Sequence, residues 1–109
     1  MKTALMGLAA LLLAGSAQAE GELELAKAKQ CMSCHSEAKD ALAPSFKSIA
    51  AKYRQHPEAE QALVVTVRKG SPDVGSYHWG MMKMPMPGPR PAVTQAEAEQ
   101  LVRWVLSQH

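Results

Sequence analysis

The chain has 109 residues, 12 Lys and Arg against 10 Asp and Glu, and is 47% hydrophobic but only 5% aromatic. That length points to one small domain. The mixed, nearly balanced charges exclude the basic field that phosphate neutralisation requires, so nucleic acid is not an expected partner.

The opening stretch, MKTALMGLAALLLAGSAQA, has a positive start at Lys2, an apolar run from Ala4 to Ala14 and a small-residue site at Ala17-Gln18-Ala19. These are the three parts of a secretory signal peptide, with cleavage expected after Ala19. The run is shorter than the roughly 18 to 20 apolar residues a membrane span needs. Residues 1–19 are therefore expected to be removed, leaving residues 20–109 as one exported domain with no stable membrane insertion. Without Lys2 the mature chain carries 11 Lys and Arg against 10 Asp and Glu. With one Phe, two Trp and two Tyr it can bury only modest apolar surface, so something other than its own side chains is expected to fill the core.

The segment GELELAKAKQ is rich in helix formers and leads into CMSCH, which holds the only two cysteines, Cys31 and Cys34, followed by His35. Two thiols three residues apart on a helical turn can each add to one vinyl group of haem, and the next residue then offers its imidazole to the iron. The competing readings are weaker. A thioredoxin-like pair belongs after a strand, and a zinc site needs two further ligands that the scattered His56, His78 and His109 do not supply by their spacing; a local disulfide is the third alternative.

The next segment, SFKSIAAKYRQ, predicts a short helix capped by Ser45 with Phe46, Ile49 and Tyr53 on one face. A third helix is expected to have Pro57 in its first turn, carry Ala59, Leu63 and Val67 as a stripe, and stop at Gly70. From Ser71 to Ala92 the composition turns to loop, with Pro72, Pro85, Pro87, Pro89 and Pro91 and four methionines, Met81, Met82, Met84 and Met86. Thr94 and Glu97 then form a T-x-x-E capping box for a last helix whose Ala98, Leu101, Val102 and Val105 share a face.

Taken together, CMSCH, the later APSF, a Trp-Gly before a Met-Pro loop and the closing VRWVLSQ helix resemble a class I c-type cytochrome of the small bacterial monohaem type. The resemblance covers nearly all of residues 20–109. It implies an all-α fold of about four short helices, the first and last crossing, wrapped around one haem c attached through Cys31 and Cys34. It implies His35 as one axial ligand and a loop methionine as the other. In the family that methionine commonly stands five residues after the loop Trp and precedes a proline, which selects Met84; Met86 also precedes a proline and is the alternative. Pro44 matches the proline whose carbonyl receives the ligand His, although the residue before it is Ala43 where the family usually has Gly. Trp79 matches an aromatic whose indole N–H reaches a haem propionate.

The function so implied is a periplasmic shuttle of single electrons between redox partner proteins, monomeric and not an enzyme. An enzyme would need an open iron site, which a loop with two Met-Pro ligand candidates argues against. Two further alternatives are a haem-binding subunit or domain of a larger oxidoreductase, and a copper-handling protein using His78 with Met81, Met82, Met84 and Met86 as a soft site. Copper would explain the Met loop but not CMSCH.

Overall fold

A computed structural model describes residues 20–72 and 83–109. The expected leader, His78, Trp79, Met81 and Met82 lie outside the described residues. Within them are four α-helices and no strand: α1 over residues 20–28, α2 Phe46–Tyr53, α3 Ala59–Lys69 and α4 Gln95–Leu106. None is long and apolar enough to cross a membrane.

The first helix does not run into the cysteine motif as its composition suggests. It ends in a turn at Gln30, whose φ of 62° is left-handed, and Cys31–Ser33 then forms a single 3₁₀ turn. A left-handed non-glycine residue costs about 1–2 kcal/mol, so its cost must be offset by the packing that follows. Here the reversal sends Cys31 to the core while Ala26 of α1 stays buried against α4.

The second helix is capped as expected, with the Ser48 amide donating to Ser45 Oγ at 3.1 Å. Phe46, Ala50 and Tyr53 are buried and Ile49 is half-buried. Pro57 precedes α3 by two residues instead of opening it. Its carbonyl accepts from the Glu60 amide at 3.4 Å, a turn that leads into the helix.

The last helix carries the full capping box. The Glu97 amide donates to Thr94 Oγ1 at 3.2 Å and the Thr94 amide to Glu97 Oε1 at 3.0 Å. An N-cap of this kind contributes about 1 kcal/mol. Lys29 extends the box into a tertiary tie: its Nζ lies 3.3 Å from Glu97 and donates to the Ala92 carbonyl at 3.0 Å. The Thr94 amide, and after it the Lys29 charge, hold the Glu97 carboxyl below the usual range. Whatever stability Glu97 adds is therefore present above the ordinary carboxylate range and is lost as pH falls through its lowered value.

The core formed by these helices is thinly filled. The fully buried side chains are Ala26, Ala50, Ala59, Ala98 and Ser45, none larger than serine, while Phe46, Leu101, Val102 and Trp104 keep a few per cent of their surface. Phe46 and Trp104 meet edge to face with ring centroids 5.3 Å apart, and all four larger side chains border a common cavity.

Candidate functional site

The cavity measures about 420 Å³, within the roughly 300–1,000 Å³ of small-molecule and cofactor sites. Helices α2, α3 and α4 give it apolar walls, including Phe46, Leu63, Val67, Leu101 and Val105. Left unfilled, a cleft of this size exposes the apolar side chains that line it to water, an unfavourable arrangement that a large apolar group would relieve. The interior is built to be filled by a large apolar group.

One wall carries the cysteine motif. Cys31 is half-buried, Cys34 is exposed, and both thiols are free. The Cys34 and His35 amides both return to the Cys31 carbonyl, at 3.3 and 2.9 Å, so the 3₁₀ turn presents all three residues to the cavity. No group of three or more His, Cys, Asp and Glu side chains suited to a metal ion occurs among the described residues, so the zinc reading finds no further ligands there.

His35 is held on two sides. Its ring stacks on Phe46, with centroids 5.4 Å apart and planes 25° from parallel. Its Nδ1 lies 2.7 Å from the Pro44 carbonyl oxygen. A carbonyl can only accept, so Nδ1 carries the proton and Nε2 keeps its lone pair. Burial pushes the imidazole's pKa down, partly offset by the Pro44 bond, which favours the neutral form that a metal requires.

The loop carrying that carbonyl is fixed by a residue the sequence did not single out. Asp40 Oδ1 accepts from the Ser45 amide at 2.7 Å, and that bond is the main cause holding its carboxyl below the usual range. Ala43 occupies its place without the left-handed backbone that would demand glycine; Gln30 is the only non-glycine with positive φ among the described residues.

The two candidate methionines are placed differently. Met84 is half-buried and lines the cavity, whereas Met86 is 69% exposed and does not line it. Ser71 pins Met84 at two points: the Met84 amide donates to Ser71 Oγ at 2.8 Å, and the Ser71 amide donates to the Met84 carbonyl at 2.9 Å. Gly70, just past α3, has φ of 91° and lies so close that a Cβ would meet the Met84 carbonyl oxygen at 2.9 Å. Gly70→Ala should therefore displace the Met84 segment and cost about 1–3 kcal/mol. Chemical denaturation should show a lowered midpoint, whereas an unchanged midpoint would refute the close approach.

Among the lysines, Lys29 and Lys83 border the cavity, and Lys27 pairs with Glu24 at 3.3 Å. A second residue missed by sequence reasoning is Arg90, which also borders the cavity. Its charge partly offsets the burial that raises the Cys31 thiol pKa.

A hollow all-α frame whose cavity gathers Cys-x-x-Cys-His and a methionine defines a small c-type haem protein. The chain belongs to the cytochrome c family, whose profile, described as Cytochrome c, matches residues 19–109. It is a class I monohaem electron-transfer cytochrome with one covalently bound haem c. It is 38% identical over 110 residues to cytochrome c-552 of Nitrosomonas europaea, covering 98% of both chains. It is 39% identical over 97 residues to cytochrome c-551 of Pseudomonas aeruginosa, covering 89% of this chain and 86% of that one. The fold is similar to the crystal structure of wild-type Nitrosomonas europaea cytochrome c552, with a TM-score of 0.67 and 32% identity over 80% of this chain and 99% of that one.

Proposed function

We propose that Cys31 and Cys34 hold the haem as thioethers, that His35 and Met84 are its axial ligands, and that the protein is a one-electron carrier exported to the periplasm. The observation that carries this reading is that one apolar cavity collects all four side chains, with His35 and Met84 each anchored from behind. Bound there, haem supplies a ferric/ferrous couple whose potential a thioether raises relative to a second imidazole.

The chain's own residues account for the rest. Pro44 fixes the His35 tautomer and ring orientation, leaving Nε2 available, as supporting partners of metal ligands do. Ser71 holds the Met84 backbone against the end of α3. Trp79 is assigned to a haem propionate on the family resemblance. With His35 and Met84 both holding the haem, water and small substrates would be kept from the iron, which suits a carrier and not an enzyme. Partner proteins would exchange electrons across the cavity mouth, where Cys34 is exposed.

Export rests on the leader pattern of residues 1–19. The match to the Nitrosomonas europaea crystal structure supports it: that chain is covered over 99% of its own length by only 80% of this one. A missing leader of 19 residues would account for most of the difference, leaving residues 20–109 as the mature domain. Mass spectrometry of periplasmically matured protein, after acid and organic extraction, should give residues 20–109 plus one haem. Recovery of the bare polypeptide would refute covalent attachment.

A further inference from the structure

The loop between Met84 and α4 contains a charge that the ligation scheme does not use. Arg90 Nε donates to the Pro85 carbonyl at 2.8 Å, and the Gly88 amide donates to the Arg90 carbonyl at 3.0 Å, so the loop closes on its own arginine. The guanidinium is thereby tied beside the residue that follows Met84, and it lines the cavity. Its second terminal nitrogen is buried and has no hydrogen-bond partner among the described residues. Arg68 also has a buried, unpaired Nε, but it donates from Nη1 to Gln95 and does not line the cavity.

Among the described residues, none that lines the cavity carries a charge opposite to that of Arg90: no Asp or Glu lines it. Of the two lysines that do, Lys29 is engaged by Glu97 and the Ala92 carbonyl, and Lys83 is exposed, where water screens its charge.

We infer that Arg90 sets the electron affinity of the site by keeping a fixed positive charge in the wall of the haem cavity. The inference rests on the proposed haem ligation. Reduction adds one negative charge, so a nearby cation stabilises the reduced state, and it does so more strongly across a low-dielectric cavity than through water. The tie to Pro85 makes the charge part of the loop that carries Met84, so its position is set by the backbone and not by a freely rotating side chain.

The test is potentiometric titration of the matured wild type beside Arg90→Lys, Arg90→Gln and Arg90→Met, with the near-infrared sulfur-to-iron band recorded for each. The Gln and Met variants should shift the equilibrium toward the oxidised form about fivefold, or about 40 mV at ~59 mV per tenfold for one electron. Arg90→Lys should retain most of the wild-type value, and all three should keep the band. Unchanged midpoints in the Gln and Met variants would overturn the inference, as would an equal fall in the Lys variant. Loss of the band in all three variants would also overturn it, because Arg90 would then act by holding Met84 in place. A wild type lacking the band would instead remove the ligation on which the inference stands.

Discussion

Met84→Ala is expected to abolish the weak near-infrared sulfur-to-iron band of the oxidised protein and to let carbon monoxide bind the reduced form. Met86→Ala, Met81→Ala and Met82→Ala are expected to keep the band and exclude the gas. The contrast follows from the difference between a ligand and a packing residue. Met84 is anchored through both its amide and its carbonyl to Ser71 and borders the cavity, while Met86 is 69% exposed outside it. Truncating a methionine packed in an apolar interior also costs about 2–5 kcal/mol, so the Met84 variant should melt earlier as well as change colour. Truncating exposed Met86 should leave the melting curve nearly unchanged. If Met86→Ala loses the band while Met84→Ala keeps it, the two assignments exchange.

The cysteines should show an effect of similar size by a different route. Cys31→Ala or Cys34→Ala leaves at most one thioether, and the double variant leaves none, so acid and organic extraction should strip the haem from the double variant completely. The consequence for folding follows from the cavity. At about 420 Å³ it leaves the apolar faces of α2, α3 and α4 open to water when nothing fills it, in a domain whose total stability is expected to be only ~5–15 kcal/mol. The double variant should therefore lose helical circular dichroism whenever haem is removed, while each single variant keeps part of it. A haem-free double variant that melts as cooperatively and at the same temperature as the wild type would contradict the claim that the porphyrin is the core.

The sequence was most informative where local chemistry decides structure. The capping box at Thr94 and Glu97, the Ser45 cap and the Cys31-Cys34-His35 motif each depend on residues within five positions of one another; both caps form as their spacing implies, and the motif residues share one turn. The hollow core was also foreshadowed, because few aromatics and two cysteines in one motif leave an interior that needs a guest. What stayed hidden was tertiary. Asp40 looks like any loop carboxylate until its bond to the Ser45 amide fixes the turn behind His35. Ser71 and Met84 are 13 residues apart, and no local pattern says that they pair. Arg90 reads as one more cation in a proline-rich loop until the fold directs it to the cavity. The left-handed turn at Gln30 was equally illegible, since glutamine favours helix and only the demand to carry Cys31 inward reverses it.

Occupation of both axial iron positions of a covalently held haem by the protein's own side chains is what separates a carrier from a ligand-binding haem protein. It is tested most directly by the optical spectrum of the matured wild-type protein, recorded oxidised, then reduced, then reduced under carbon monoxide. The oxidised protein is expected to show the near-infrared sulfur-to-iron band, and the reduced protein a spectrum that carbon monoxide leaves unchanged. An oxidised spectrum without the band, together with ready carbon monoxide binding, would mean an open iron site and a ligand-binding or catalytic haem protein in place of an electron carrier.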